Sequence, residues 1–297
     1  MSDQAPLPRV AVLTLAAGRH RHLSAQLAGL ARSALEPTVH IVAAMGDPHI
    51  DQVVEQAAPA WPTVVVPVPV PPSGELPLAR ARNTAAAHAL AREVDLLVFL
   101  DVDCIPAPVL LSRYRAAADQ LSDEPVTALC GPVHYLPPLD AGQESYPPGD
   151  LGRLAQPHPA RPVPADHELL PATDLRLFWS LSFAIRAAEW ERTGGFCEQY
   201  VGYGGEDTDF AMTVAGLGGR MLWVGGASAY HQHHPVESPP TRHLDAIVRN
   251  ANVFYRRWGW FAMEGWLAAF NEMGIAHFDA DSSSWVTGPV SSRYSST

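Results

Sequence analysis

The amino-acid sequence predicts an α/β fold with a mixed, mostly parallel sheet flanked by helices, a long proline-rich insertion and a helical C-terminus. Three observations predict it. Short apolar runs alternate with helical patterns, as is typical of parallel sheets covered by helices. The apolar fraction of 47% suffices for a large core. The 297 residues exceed a common domain size but suit a single α/β domain.

The elements alternate along the chain. Leucines at 23, 27 and 30 repeat at helical spacing, which predicts the first helix. The predicted strands are Val10–Leu15, Val39–Ala43, Val64–Val68, Asp95–Leu100, Val126–Val133, Leu177–Ile185 and Arg220–Val224. The predicted helices are His22–Ala34, Ala79–Glu93, Pro108–Leu121, Ala187–Thr193 and Thr208–Leu217, followed by a mainly helical Thr241–Met273.

We expect one domain over residues 9–282, with flexible tails at 1–8 and 283–297. The segment Tyr135–Pro171 differs from the rest because it is rich in proline and has little periodicity. A loop of this length inside a domain is either functional or disordered. We expect a partly ordered insertion near the mouth of the active site.

The formal net charge of −11 argues against a nucleic-acid partner, since phosphate binding needs a basic surface. No apolar stretch approaches the roughly 20 residues of a membrane span. The N-terminal residues show no basic region before an apolar segment, so we expect no signal peptide. The odd count of three cysteines favours reduced thiols and a cytoplasmic location.

The first acidic element, Asp101-Val102-Asp103, directly follows the apolar run Leu96–Leu100. Ligands of parallel sheets bind beyond the carboxyl ends of the strands. Two carboxylates at such an end suit a hard divalent cation and the phosphates it neutralises. The alternative is a pair of helix-capping carboxylates before Pro106.

The second acidic element places Glu206, Asp207 and Asp209 after a glycine-rich turn that includes Tyr203. Glycines such as Gly205 let the backbone approach a ligand closely, and an aromatic ring can stack on a sugar. A carboxylate held on such a turn suits a general base. The alternative is an ordinary acidic first turn of a helix.

A third element, Tyr230-His-Gln-His-His-Pro235, offers imidazole ligands for Mn²⁺ or Zn²⁺. In a strand, His231 and His233 would face one side and His234 the other. The alternative is a solvated histidine-rich loop.

Together the two acidic elements resemble the inverting glycosyltransferases of the GT-A, Rossmann-like fold, in particular the galactosyltransferase-like branch with its Gly-Gly-Glu-Asp segment. Leu78–Asn83 is similar to the Ala-Arg-Asn element of family 2 glycosyltransferases. The resemblance to these glycosyltransferases covers roughly residues 10–270. Departures, such as Tyr203 where many relatives have Trp, leave the donor sugar and the nucleotide base open.

The resemblance implies a role for each site residue. Asp207 would be the catalytic base, with Glu206 binding sugar or acceptor hydroxyls. Asp103 would bind the metal, while Asp101 would contact the ribose or a metal-bound water. His231, and next His233, would complete the metal site. The nucleotide and sugar pocket would comprise Arg19, Arg80, Arg82, Asn83, Tyr203 and Gly205.

The sequence therefore predicts an inverting, metal-dependent glycosyltransferase. Its donor would be a nucleoside-diphosphate-sugar, with a UDP-sugar favoured, and its acceptor a small molecule or a glycan. The metal would be Mn²⁺, with Mg²⁺ as the alternative. Two further readings stay open: a retaining transferase on the same fold, and a catalytically silent nucleotide- or sugar-binding module.

Overall fold

Near-continuous apolar runs form the central strands. The structure, a computed structural model, describes residues 9–121 and 125–288. The strands Val10–Ala16 and Val39–Met45 are buried at every position, as expected of strands covered on both faces. The predicted tail at residues 1–8 lies outside the described residues.

The strands are β1 Val10–Ala16, β2 Val39–Met45, β3 Thr63–Val68, β4 Leu96–Leu100, β5 Cys104–Pro106, β6 Thr127–Cys130, β7 Val133–Tyr135, β8 Gln156–Pro157, β9 Leu169–Pro171, β10 Ser182–Arg186, β11 Arg220–Val224, β12 Ala229–His231, β13 Ala276–Asp279 and β14 Ser284–Thr287. The helices are α1 His20–Leu30, α2 Ile50–Ala57, α3 Leu78–Leu90, α4 Leu110–Asp119, α5 Leu151–Leu154, α6 Ala187–Thr193, α7 Glu206–Gly216, α8 Leu244–Trp258 and α9 Glu264–Glu272.

The described strands form a main sheet in the order β3-β2-β1-β4-β10-β6-β11-β9. β1 pairs in parallel with β2 and β4, β2 with β3, and β6 with β11. β10 and β9 run antiparallel to their neighbours. A second sheet, β5-β12-β7-β8, stands beyond the ends of β4 and β6. The predicted mixed, mostly parallel sheet is confirmed.

Apolar clusters cover both faces of the main sheet. On one face Leu13 and Phe99 pack with the alanines of α3 and with Phe210 of α7. On the other face Leu100 packs with Leu27 of α1 and with side chains of α4. Because the sheet is covered on both sides, its exposed edge at the carboxyl ends of the strands is where a ligand can approach.

Three element predictions need correction. The predicted strand Val126–Val133 divides into β6 and β7 of different sheets, because the backbone of Gly131 passes so close to the Ala227 carbonyl oxygen that a Cβ would lie 2.1 Å from it. The predicted strand Leu177–Ile185 begins only at Ser182, after a short 3₁₀ helix at Leu175–Leu177.

The predicted tail from residue 283 also differs, because β14 pairs with β13 in a hairpin. Trp285 exchanges two hydrogen bonds with Asn252 of α8, of 2.7 and 2.9 Å, which fix the hairpin on the helices. Residues 289–297 of that predicted tail lie outside the described residues.

The insertion 135–171 contains α5, β8 and β9 and packs on both sheets. Leu136 and Leu151 bury against Ile105 of β5. Within the described residues, no helix is long and apolar enough to cross a membrane.

Candidate active site

Asp101 and Asp103 follow β4 at the open edge of the main sheet. Asp103 has three basic neighbours from different parts of the chain. Its carboxylate oxygens lie 3.5 Å from Nε2 of His231, 3.4 Å from Nε2 of His234 and 3.8 Å from Nη1 of Arg19. His231 ends β12 of the second sheet, and its pairing with Cys104 of β5 brings it beside Asp103.

Asp103, His231 and His234 form a candidate metal centre, since one ligand atom from each lies within 4.8 Å of the others. His233, the second metal ligand expected from the sequence, is exposed and outside this group. The correction has a simple cause: β12 ends at His231, so the two-residue alternation of a strand does not continue to 233.

The chemistry of these residues fits a divalent first-row ion. Oδ1 of Asp103 is buried and accepts no hydrogen bond from a described residue, which leaves an anionic oxygen free for a cation. Burial lowers the pKa of His231 against the opposing pull of Asp103, so that its imidazole is neutral and can offer a lone pair. One carboxylate with two imidazoles suits Mn²⁺ better than Mg²⁺, which prefers oxygen ligands alone.

Arg82 joins the two acidic elements. Its guanidinium, 4% exposed, lies 3.4 Å from Oδ1 of Asp101 and 3.1 Å from Oε1 of Glu206, and it stacks 5.0 Å above the ring of Phe196. Burial alone would lower the pKa of Arg82, but Asp101 and Glu206 raise it. Arg82 therefore positions the strand end against the start of α7, rather than being free for a diphosphate.

The glycine turn before α7 is held in place by helix α8. Gly204 and Gly205 both have φ of 93°. A Cβ on Gly204 would lie 2.5 Å from the sulfur of Met263. The buried amide nitrogen of Asn250 lies 2.9 Å from the Gly204 carbonyl oxygen and 3.1 Å from that of Val201. The turn is thus fixed on both sides, and the first residues of α7 have little freedom to move.

Asp207 sits half-buried in the first turn of α7. Its Oδ1 accepts a 2.7 Å hydrogen bond from the backbone N–H of Thr208. The helix N-terminus was expected to favour the ionised form, yet burial, with the charge of Glu206, raises the pKa of Asp207 to about 7. A carboxylate with a pKa near the working pH suits proton transfer in both directions.

Tyr203 presents an aromatic face beside these carboxylates. It is 41% exposed and stacks with His243 at 4.8 Å and with Trp266 at 5.6 Å. Its phenol pKa is raised to about 12, by burial and then by the charges of Asp207 and Glu206. The sugar-stacking role of Tyr203 stays a prediction.

Asp209 has a structural position. It is 1% exposed and accepts hydrogen bonds from Tyr200 (3.1 Å), Arg257 (2.6 Å) and Trp258 (2.7 Å). The carboxylate therefore ties α7 to the end of α8, instead of capping its own helix.

We expect Asp209→Ala to lower the free energy of unfolding by about 3 kcal/mol, because it leaves the partly exposed Arg257, the buried Tyr200 hydroxyl and the half-buried Trp258 N–H without this acceptor. Urea unfolding measures the change. Asp119→Ala is the control, since its carboxylate is half exposed and pairs with Arg115 along α4; we expect a change within about 0.5 kcal/mol. Equal losses in both variants would contradict the structural role.

Two residues of the expected nucleotide pocket have other partners. Arg80 is exposed and pairs with Glu198 at 3.0 Å. Asn83 exchanges hydrogen bonds of 2.9 and 2.8 Å with the backbone of Phe196, and also contacts Glu198. Both therefore brace the segment before the glycine turn. The correction follows from their place on α3, whose polar side chains face that segment.

The sequence reasoning overlooked Asp47, just beyond the carboxyl end of β2. Its carboxylate accepts 2.8 Å hydrogen bonds from the Gly18 N–H and the His20 ring, and a 2.9 Å one from the His49 N–H. The sequence does contain a pattern that indicates Asp47, because this residue follows an apolar strand as Asp101 does.

Comparisons with known proteins agree with this arrangement. Residues 171–235, which carry Gly-Gly-Glu-Asp and the histidines, match the model of a family described as the N-terminal domain of galactosyltransferase. Two validoxylamine A glucosyltransferases, from Streptomyces hygroscopicus subsp. jinggangensis (strain 5008) and subsp. limoneus, are each 27% identical over 199 residues, 61% of this chain. The matched region is 44% and 41% of those proteins, so the chain spans less than half of their length.

Solved structures show the same fold. TarS 1–349 of S. aureus in complex with UDP-GlcNAc gives a TM-score of 0.55 at 14% identity, covering 88% of this chain and 75% of that one. GalNAc-T7 with UDP, GalNAc and Mn²⁺ gives 0.51 at 15% identity, covering 78% and 45%. The chain has the GT-A glycosyltransferase fold. The predicted resemblance to GT-A fold glycosyltransferases is confirmed, and the relatives named above support the predicted enzyme class, a glycosyltransferase.

Proposed function

We propose that this protein transfers a sugar from a nucleoside-diphosphate-sugar, with a UDP-sugar favoured, to an acceptor hydroxyl, with inversion at the anomeric carbon. The observation that carries the proposal is Arg82. It holds Asp101, at the strand end beside the candidate metal centre, against Glu206, next to the candidate base. The UDP and UDP-GlcNAc in structures of the same fold support the choice of donor.

Different residues of the chain would bind the metal and the phosphates of the donor. Asp103, His231 and His234 would hold a divalent ion, Mn²⁺ in the first place, which neutralises the diphosphate when bound. Arg19, 3.8 Å from Asp103, would add a positive charge for the phosphates. The cytoplasmic location expected from the sequence stays a prediction.

Asp207 would act on the acceptor. The acceptor oxygen attacks the anomeric carbon, the bond from that carbon to the diphosphate breaks, and the hydroxyl proton passes to the Asp207 carboxylate. The fixed glycine turn would keep that carboxylate in place, and the exposed face of Tyr203 would orient a sugar ring.

Substitutions of the adjacent residues His233 and His234 test the proposal. We expect Mn²⁺ to strengthen UDP binding to the wild-type protein, measured by calorimetry with a panel of nucleoside diphosphates. His234→Ala should weaken the Mn²⁺-dependent part about 10-fold or more, in line with losses around metal sites.

His233→Ala is the matched control, because this neighbour is exposed and outside the metal group. It should bind UDP as the wild type does. A wild-type protein whose nucleotide binding ignores Mn²⁺, or two variants with the same affinity, would reject the metal site.

A further inference from the structure

A cleft of about 380 Å³ lies apart from the acidic elements, between the insertion and β11. Its walls are the segment 159–162, the strand residues Leu170 and Pro171, the turn around Asp174, and Trp223. This volume lies within the range of small-molecule sites, on the order of 300–1,000 Å³. Arg161 lies in the wall of this cleft and has no role in the site described above.

Arg161 is a buried cation held between two indole rings. It is 7% exposed, and its guanidinium carbon lies 5.0 Å from the ring of Trp179 and 4.8 Å from that of Trp223. Its Nε and Nη1 donate no hydrogen bond to any described residue. Burial lowers the pKa of Arg161, and the acidic groups that oppose this shift are thiols and phenols, Cys130 first, rather than a carboxylate. The phenol oxygen of Tyr135 accepts a hydrogen bond from the guanidinium. Burying a charge without a counter-ion is costly, so this geometry favours a missing anion.

One carboxylate, Asp174, does line the cleft, but it is already engaged. Both of its oxygens accept 2.8 Å hydrogen bonds from Arg176, and one of them also accepts from the Arg176 N–H at 3.0 Å. Its charge is therefore balanced locally. Nε and Nη1 of Arg161 are the donors that remain to pair with two oxygens at once.

The cleft is close to the candidate active site. The Tyr135 ring packs 5.0 Å from His231 of the metal group and 6.0 Å from His158, which in turn contacts Trp179 at 4.7 Å. Three rings in contact, Trp179, His158 and Tyr135, thus connect Arg161 to His231 of the metal group. The cleft is also larger than an inorganic anion needs, which leaves room for the molecule that carries the anion.

We propose that this cleft binds an oxyanion, a carboxylate or a phosphate group, through the guanidinium of Arg161, and that the anion is a substituent of the acceptor. The acceptor part rests on the proposed glycosyl transfer, whereas the anion site itself does not. Anion binding should therefore be measurable with neither donor nor metal present.

The test uses inorganic phosphate and the whole protein in EDTA, with chloride at equal ionic strength as reference. Phosphate should raise the melting temperature saturably, since a ligand of the folded state stabilises it. Arg161→Gln should weaken phosphate binding by about 10-fold or more. Arg161→Lys, which keeps the charge but loses the fork, should bind with intermediate affinity and covers the case in which the glutamine variant does not fold.

Arg153→Gln is the matched control, because this arginine lies in the same insertion but is 70% exposed and pairs with Asp150. It should bind phosphate normally. A wild-type protein with no saturable response would overturn the proposal. So would binding that is lost in Arg19→Gln but kept in Arg161→Gln, since this places the anion at the donor site.

Sugar probes separate the two sources of the anion. Glucose 6-phosphate and glucuronate should bind at least ~10-fold more tightly than phosphate and acetate, and only while Arg161 is present, if the anion belongs to a sugar acceptor. Equal affinities would reject the acceptor part and assign the site to a free anion. Neither result depends on UDP or Mn²⁺, so failure here and failure of the proposed transfer are distinguishable.

Discussion

Replacing Asp207 by Asn should lower turnover by about 10²-fold or more, the usual contribution of a general base. The amide keeps the size of the side chain and the acceptor oxygen for the Thr208 N–H, but it cannot take a proton. Donor affinity should change little, since the residues proposed to hold the metal and the phosphates lie on other segments. Steady-state kinetics combined with calorimetric UDP binding would measure both quantities.

The pH dependence gives the same prediction a second readout. The pKa of Asp207 is raised from 3.8 to about 7, so the group is protonated below that pH and unable to act as a base. The wild-type kcat/KM should therefore rise with pH through about 7, as the Asp207 carboxyl group loses its proton. Asp207→Asn should lose this limb of the profile.

Stability separates the base from a mere helix cap. A group whose pKa is raised on folding stabilises the folded state fully below its unfolded pKa and loses that contribution as the pH rises through its folded pKa. Asp207→Asn should therefore melt higher than the wild type at pH 8, with a smaller difference at pH 5. If Asp207 were only a helix cap, Asp207→Asn would instead lower the free energy of unfolding by about 1 kcal/mol and retain turnover.

Asp209→Asn is the matched control two residues away, where the carboxylate ties α7 to α8. Its main effect should be a lower melting temperature, whereas the main effect of Asp207→Asn should be a lower turnover. Normal turnover in Asp207→Asn, or a product that retains the donor's anomeric configuration, would reject the inverting mechanism and favour the retaining alternative.

Local sequence patterns predicted the two acidic elements, because each element can be recognised from its own segment of the chain alone. Asp101 and Asp103 follow a buried strand, and Glu206 and Asp207 follow glycines; a strand end and a helix start are short-range features. The parallel sheet then places the strand end at an open edge. This much of the site follows from periodicity and turn chemistry.

The partners of those carboxylates were beyond such reasoning. Arg82 looked like a phosphate ligand because nothing in its own segment shows that Glu206, 124 positions later, lies 3.1 Å away. His234, rather than His233, lies in the candidate metal group because β12 ends at His231. Such facts depend on tertiary packing, which overrides local alternation.

Asn250 shows that part of this could have been anticipated. It lies on the face of α8 that also carries Ile247, Ala251 and Phe254, all buried. A polar residue on an otherwise apolar helical face indicates a buried hydrogen-bond partner. The pattern predicts that Asn250 has a partner, but it cannot identify the glycine turn as that partner.

Asp103→Ala should abolish the enhancement of UDP binding by Mn²⁺ while the fold stays intact. Asp103 is the member of the candidate metal centre that both histidines and Arg19 approach, and its buried Oδ1 has no other described donor. Removing a residue that only hydrogen-bonds a metal ligand lowers metal affinity by about 10- to 100-fold. Removing a direct ligand should lower it at least as much.

Calorimetric titration of UDP with and without Mn²⁺ measures the effect, and circular dichroism checks the fold. Asp119→Ala again serves as the control, as an exposed carboxylate of α4. Binding without Mn²⁺ should be similar in all three proteins, because the metal-independent contacts are unchanged. Identical titration curves for Asp103→Ala and the wild type in the presence of Mn²⁺ would remove Asp103 from the metal site, whereas a loss confined to Mn²⁺-dependent binding assigns it there.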